Sequence, residues 1–404
     1  MRRLPALDGL RGVAAAIVVV HHVALVARPS LDTKTVGDAW WWITSSPLGI
    51  LTSGHEFVLV FFVLSGLVVA LPAIRDGFAW SKYYVTRLLR LYIPVWASLG
   101  LSAAFIVLFP RDSSLPVQDS WLASTNATTV TVAQWLADAS LTRAGYDLNN
   151  VLWSLRWEIV FSLLLPLFVW VALRLRRHAR LAFGVGMAGT VAGVLLGNAA
   201  LSYLPLFFAG TVMAVRITEL HEWAARRGPR FWLVTSIASV TVMTLSNQLV
   251  SWGLVGGGVR TALSGLSGLG AAGLVLCAIG SPAWQAFLTA RVPAFLGKIS
   301  FSLYLVQVPL IATVGYLVGD TQWMLVAAIA LPLSVLVAWV FYRVVEQPSQ
   351  RLARSTGQFA AARLESRSFS LSELRGEGMI DPTMLELATR EARTTMLARG
   401  GVPR

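Results

Sequence analysis

The sequence predicts an all-α fold, a polytopic transmembrane domain of about ten helices with a short cytoplasmic C-terminal tail. Of the 404 residues, 56% are hydrophobic and only 13% are charged, and soluble globular domains are far less apolar. Apolar runs of roughly 18 to 20 residues, enough to cross the hydrocarbon layer as a helix, recur along most of the chain.

The apolar runs define the elements in order. The ten predicted spans cover residues 9–27, 55–74, 91–109, 151–173, 181–197, 200–217, 231–248, 261–280, 299–318 and 323–343. The first run imitates a signal peptide, but no cleavage site follows it cleanly, so we expect it to remain as a helix. Residues 1–350 form the predicted membrane domain, and the polar residues 351–404 form the predicted tail, partly helical or disordered.

The cations indicate the orientation of the chain. An even number of spans puts both termini on one side of the membrane. The loops on the opposite side contain only five cations: Arg28, Lys34, Arg111, Arg143 and Arg260. The positive-inside rule therefore places both termini in the cytoplasm, with the chain in a bacterial inner membrane.

The same distribution of charge excludes other classes of protein. The net charge of +13 does not indicate nucleic-acid binding, because the cations lie in short clusters between apolar runs. The single cysteine, Cys277, lies inside an apolar run, which excludes an intramolecular disulfide and a cysteine-based metal site. We expect no bound metal.

Ionisable side chains in the first span are functional candidates, because burying them in a bilayer costs several kcal/mol. At about 100° and 1.5 Å per residue, His22 lies within roughly 20° of Arg11 on one helix face and about 16 Å deeper. His21 is displaced from that line by roughly 80°, so position favours His22 as a catalytic base, with Arg11 below it. The alternative is an ordinary hydrogen bond between this imidazole and a neighbour.

Two other helices are expected to bring polar groups to a similar depth. Arg156 and Glu158 follow the start of the fourth span, which puts Glu158 about 19 Å from the inner surface. Gln307 lies about 14 Å beyond Lys298 in the ninth span. Glu158 is then a catalytic candidate, and Arg156 and Gln307 are acceptor-side candidates. A structural ion pair between Arg156 and Glu158 is the alternative.

Cations gather at the inner ends of several helices, where we expect Arg11, Arg87, Arg90 and Lys298. Guanidinium groups suit phosphates. A ring of cations below a buried imidazole therefore suits a phosphorylated, pantetheine-bearing donor whose thioester reaches inward. Topology and snorkelling are the alternative explanation of these cations. At the opposite interface, Glu56 is a candidate for lining the acceptor path, with simple solvation as its alternative.

Six stretches resemble, in order, the acyltransferase-3 family of bacterial integral-membrane O-acyltransferases. They are LDGLRGVAAAIVVVHH at 7–22, FFVLSG at 61–66, TRLLR at 86–90, LWSLRWE at 152–158, GKISFSLYL at 297–305 and VEQP at 345–348. The resemblance implies an enzyme that takes an acyl group from cytoplasmic acyl-CoA, expected to be acetyl-CoA, as co-substrate and needs no permanently bound cofactor. It also implies that the acceptor is a hydroxyl of a cell-envelope carbohydrate or glycolipid.

The resemblance also assigns roles to individual residues. The family's Arg-x10-His pair falls on Arg11 and His22. Its Arg-x-x-Arg motif falls on Arg87 and Arg90, and its span-four acid falls on Glu158. Two positions depart from the family's pattern: Leu59 stands where an Asp is frequent, and Gln307 stands where a His is frequent.

Two other functions remain open at this point. The same architecture resembles enzymes that acylate a glycosylated secondary metabolite such as a macrolide. A non-catalytic transporter or lipid flippase would also carry polar residues at mid-membrane. Neither an inverted repeat nor broken helices at matching positions are evident in the sequence.

Overall fold

The computed structural model describes residues 4–31, 38–142 and 145–375, with side chains as far as Arg363. Within these residues the chain consists of helices and connecting loops without any β-strand, which confirms the predicted all-α fold. Lys34, Arg143 and residues 376–404 of the predicted tail lie outside the described residues.

Seventeen α-helices follow one another along the described chain. They are α1 Pro5–Leu31, α2 Ala39–Thr44, α3 Gly54–Ala73, α4 Trp80–Leu108, α5 Trp121–Thr125, α6 Val132–Ser140, α7 Leu152–Arg174, α8 Ala179–Leu195, α9 Ala199–Val215, α10 Ile217–Ala225, α11 Pro229–Ser251, α12 Gly257–Gly265, α13 Ser267–Gly280, α14 Pro282–Leu288, α15 Arg291–Val318, α16 Trp323–Phe341 and α17 Gln347–Arg375. A π-helical turn, Tyr342–Glu346, joins α16 to α17.

Among the described residues, 9 helices are long and apolar enough to cross a membrane, or 10 if α9 and α10 count as one span bent by 74°. All ten predicted spans fall on helices. The eighth, 261–280, is built from two helices, α12 and α13. The predicted polytopic membrane domain of about ten spans is therefore confirmed.

Helices α1 and α15 pack closely at the centre of the bundle through glycines. A β-carbon added at Gly12 would lie 2.3 Å from the backbone nitrogen of Gly297, and one added at Gly297 would lie 2.3 Å from the Asp8 carbonyl oxygen. Only glycine permits backbones to approach so closely. Gly12 meets Gly297, and further along both helices His22 lies beside Gln307, so α1 and α15 run in the same direction.

Helix α7 begins deep inside the bundle. The Asn149 side chain donates to the Leu305 carbonyl at 2.8 Å, and Leu305 lies near the middle of α15. In the segment of chain before Asn149, Asp138 accepts hydrogen bonds from the backbone nitrogens of Tyr146 and Leu148 at 2.9 and 3.1 Å. Burial raises the pKa of the Asp138 carboxyl, and these two donors oppose the rise. The expectation that the fourth span starts at the outer surface is therefore wrong.

Helix α17 continues the chain along the outside of α4. Thr86 donates from its hydroxyl to the Ala353 carbonyl at 3.2 Å. A β-carbon added at Gly357 would lie 2.2 Å from the Thr86 hydroxyl oxygen. The first part of the predicted tail is thus a helix packed against the membrane domain.

Candidate functional site

A cavity of about 670 Å³ opens between α1, α3, α4, α7 and α15, close to where α1 and α15 begin. This volume falls within the usual range for a site that binds a small organic ligand. The cavity is lined by all four cations that the sequence predicts to bind the donor, namely Arg11, Arg87, Arg90 and Lys298. The structure therefore brings together residues from three helices that are far apart in the sequence.

Arg87 and Glu158 form an ion pair in the wall of this cavity. The Ser65 hydroxyl donates to the same carboxylate at 2.6 Å, and the Arg87 side chain donates to Ser65 at 3.3 Å. Arg87 also donates to the Ser162 hydroxyl at 3.2 Å. Helices α3, α4 and α7 are thus joined by one polar network inside the bundle.

This ion pair corrects one expectation and excludes one alternative. Glu158 does not lie at the depth of His22, because the deep start of α7 carries it towards the cavity. Its partner is Arg87 and not Arg156, whose guanidinium lies 5.4 Å from the Trp157 ring. Positions two apart on a helix point to different sides, which is why Arg156 and Glu158 separate.

Glu346 is a buried acid of the cavity that motif analysis quoted without assigning it a role. It is 6% exposed, accepts a 2.5 Å hydrogen bond from the Ser302 hydroxyl and a 2.9 Å bond from the Gln350 amide, and interacts electrostatically with Arg11 and Arg90. It ends the π-helical turn, a feature that often accompanies functional sites. The sequence feature that could have identified Glu346 is its position as an acid directly after an apolar span.

The inner end of the cavity is closed by aromatic and hydroxyl side chains. The Phe61 and Tyr304 rings lie 5.8 Å apart, and both line the cavity. The Tyr304 hydroxyl lies 2.6 Å from the Ser154 hydroxyl and donates to the Val151 carbonyl at 3.2 Å. The cavity therefore changes from cationic near the start of α1 to largely apolar at its inner end.

His22 lies beyond this closed end and does not line the cavity. It is 8% exposed, its Nδ1 lies 2.8 Å from the Val18 carbonyl oxygen, and its ring centroid lies 5.3 Å from that of Trp121. Because a carbonyl only accepts hydrogen bonds, the imidazole proton resides on Nδ1. The unprotonated Nε2 is thus left as the basic nitrogen.

Gln307 lies beside the His22 ring and is fully buried. Glu56 lies close enough to His21 for an electrostatic interaction, and the His21 Nδ1 donates to the Thr52 carbonyl at 2.6 Å. His55, next to Glu56, stacks on Trp153 with 5.6 Å between ring centroids. None of these side chains lines the cavity, so their assignment to the acceptor side stays a prediction.

Together, the fold and this site define a multi-pass membrane protein with a cation-lined interior cavity. Its sequence matches the acyltransferase domain family, acyltransferase-3, over residues 4–343. The chain belongs to this family and is a membrane O-acyltransferase.

Two characterised proteins are similar along most of their length. The O-acetyltransferase PaAT-1 of Phomopsis amygdali is 26% identical over 86% of this chain and 83% of its own length. The acyltransferase MdmB of Streptomyces mycarofaciens is 28% identical over 87% of this chain and 92% of its own. No solved structure matches the chain.

Proposed function

We propose that this enzyme takes an acyl group, expected to be acetyl, from acyl-CoA and transfers it to a hydroxyl of a cell-envelope carbohydrate or glycolipid. One observation carries the proposal. The four-cation cavity lies at the start of α1 and α15, and further along α1 carries the buried His22 imidazole with its Nε2 unprotonated. Membership of the acyltransferase family favours this chemistry over transport.

The cavity suits the donor by charge and by polarity. Coenzyme A carries its phosphates at one end and its thioester at the other. Arginine forks bind phosphate oxygens in pairs, and Arg11, Arg87 and Arg90 supply three of them at the open end. The Phe61 and Tyr304 rings at the inner end offer an apolar wall for the pantetheine arm.

His22 acts in this proposal as the general base. The acceptor oxygen attacks the thioester carbonyl carbon while its proton moves to the His22 Nε2. The tetrahedral intermediate then breaks its carbon–sulfur bond, and the thiolate of coenzyme A takes the proton from the imidazolium. The products are the O-acyl ester and free coenzyme A, and His22 returns to its neutral form. The bond from Nδ1 to the Val18 carbonyl maintains the required tautomer.

The thioester must pass the aromatic closure to reach His22. Tyr304 and Gln307 are about one helical turn apart on α15, so the distance beyond the closed end is short. We infer that the Phe61 and Tyr304 rings move apart when the donor binds. A cavity that closes again behind the thioester would keep water away from it.

The acceptor is proposed to approach from the opposite end of the bundle. With both termini in the cytoplasm of a bacterium, that end faces outward, where envelope sugars are exposed. His55, Trp153 and Tyr203 form a cluster of rings where α3, α7 and α9 meet, with 5.6 Å between His55 and Trp153 and 5.4 Å between Trp153 and Tyr203. Rings with polar edges are suited to contact a sugar.

The experiment measures release of free coenzyme A from acetyl-CoA by purified protein in lipid nanodiscs. We expect His22→Ala to abolish release while its membrane level is retained. His21→Ala is the matched control, since the neighbouring imidazole lies on a different face of α1, and it should retain most of the activity. Full activity of His22→Ala would end the general-base role. No release by the wild-type protein would refute acyl-CoA as the donor.

The acceptor is identified by a separate measurement. Mass spectrometry of envelope glycans and lipids should show an acyl group that disappears in a deletion strain and returns with the wild-type gene but not with His22→Ala. An acyl group lost from a secreted glycosylated metabolite, with the envelope unchanged, would replace the carbohydrate acceptor by a secondary metabolite.

A further inference from the structure

Gln307 is a buried amide beside the His22 ring, and neither of its polar atoms makes a hydrogen bond of normal geometry within the described residues. The residue is 0% exposed. Other buried amides are paired at least in part, as at Asn149, which donates to the Leu305 carbonyl at 2.8 Å. Leaving both atoms of an amide unpaired in an apolar interior is costly, so it requires an explanation.

The packing of two helices places this amide at the imidazole. Gly12 contacts Gly297 where α1 and α15 meet. Ten residues further along each helix, about 15 Å at the usual helical rise, stand His22 and Gln307. Because the helices run in the same direction, these two residues remain level, and the amide lies beside the ring.

Apart from His22, the surroundings of the amide on α15 are apolar. Gln307 lies among buried apolar neighbours on α15, including Val306, Val308 and Ile311. A leucine would fill a similar volume without unpaired polar atoms. A polar group that is kept there at a cost, next to the free Nε2 of a base, is suited to a partner that is present only during the reaction.

We propose that the Gln307 amide donates a hydrogen bond to the carbonyl oxygen of the thioester as that oxygen becomes an oxyanion. This inference rests on the proposed function. When the acceptor oxygen bonds to the carbonyl carbon, the electron pair of the C=O bond moves to oxygen, and the acceptor's proton moves to the His22 Nε2. The Gln307 Nε2–H stabilises that oxygen until the carbon–sulfur bond breaks and the carbonyl re-forms.

An amide is suited to this role beside a histidine base. It is neutral, so it does not repel the imidazolium that forms at His22. It does not exchange protons near neutral pH, so proton transfer stays with the imidazole. Its donor is already buried and makes no hydrogen bond of normal geometry, so little reorganisation is needed when negative charge develops.

The test uses the full-length protein in nanodiscs and replaces Gln307 by Leu or by Met, which keep the volume without the donor. We expect kcat for transfer to fall by about 10²- to 10³-fold. Affinity for a non-reactive thioether analogue of acetyl-CoA should stay unchanged, because the oxyanion is absent from the bound ground state. The thermal midpoint should stay the same or rise, since no hydrogen bond within the protein is lost.

Gln285→Leu is the control for kcat. Gln285 is exposed on α14, its amide donates to the Ile279 carbonyl at 2.6 Å, and it does not line the cavity, so the variant should keep kcat. A clear fall of the thermal midpoint in both Gln307 variants would assign the amide a structural role and overturn the proposal. So would a wild-type kcat in either Gln307 variant.

A further comparison separates the oxyanion role from acceptor binding. Slow hydrolysis of acetyl-CoA without acceptor passes through the same oxyanion, so it should fall by a similar factor in both Gln307 variants. Loss of transfer with unchanged hydrolysis would overturn the oxyanion role. The proposed function fails differently: in that case the wild-type protein itself does not cleave the thioester.

Discussion

The ion pair between Arg87 and Glu158 makes a quantitative prediction about stability and donor binding. The two side chains are 18% and 13% exposed, and Glu158 also accepts the Ser65 hydroxyl. Removing one partner of a buried pair leaves an unpaired charge and costs roughly 3 to 5 kcal/mol. Because Ser65 still compensates in part, we expect about 3 kcal/mol for Arg87→Met or Glu158→Leu.

The double variant should lose much less stability than the sum of the losses in the two single variants. Apolar replacement of a whole buried pair is close to neutral, so Arg87→Met/Glu158→Leu should lie within about 1 kcal/mol of wild type. The free energy of unfolding is measured by titrating the protein in mixed micelles with a denaturing detergent. Arg176 and Glu219, 3.1 Å apart and 57% and 35% exposed, are the control pair, with an expected coupling below about 1 kcal/mol.

Donor affinity should not follow stability in this series. If Arg87 binds a donor phosphate, the stable double variant still binds the acetyl-CoA analogue weakly, since the guanidinium is missing. Two results would refute this reasoning: single-variant costs that add in the double variant, or donor affinity restored along with stability. The first would mean that the pair is not coupled, and the second that Arg87 serves the fold alone.

Two further predictions concern the cavity and the helix contact that supports it. Gly12→Ala places a β-carbon 2.3 Å from a backbone nitrogen, so we expect it to destabilise the protein by at least about 1 to 3 kcal/mol in the same denaturation assay. Gly189→Ala is the control, because its β-carbon would lie 3.6 Å from the nearest atom and should be tolerated. Glu346→Gln removes the negative charge that Arg11 and Arg90 share. Donor affinity should rise several-fold, because donor phosphates no longer compete with a carboxylate for these arginines, and the thermal midpoint of the empty protein should fall. Unchanged affinity in a calorimetric titration would exclude Glu346 from donor binding.

The spans were predictable because hydrophobic length alone determines them. A helix that crosses lipid needs a long apolar run whatever its neighbours are, and each predicted run lies on a helix. The gathering of cations in one cavity was predictable for a similar reason, because Arg11, Arg87, Arg90 and Lys298 lie near helix ends in the sequence. The family motifs supported both conclusions.

The depth of Glu158 could not be predicted, because it depends on a loop. The assumption that each span starts at the membrane surface fails for α7. A hydrogen bond from the Asn149 side chain to the middle of α15 holds the start of α7 far inside the bundle. Glu346 was missed since its approach to the cavity depends on a π-helical turn, a local change of backbone geometry with no sequence signature.

The acids in the cavity suggest how the empty and loaded states are related. Without donor, several guanidinium groups share one cavity, and like charges brought close together repel. Glu158 neutralises Arg87, and the Glu346 carboxylate interacts electrostatically with both Arg11 and Arg90. In the proposed reaction, donor phosphates take over the role of these carboxylates. Binding is then an exchange of anionic partners, so it depends on how readily each arginine leaves its acid. Glu158 keeps the Ser65 hydroxyl as a hydrogen-bond donor when Arg87 leaves, and this offsets part of the cost of the exchange.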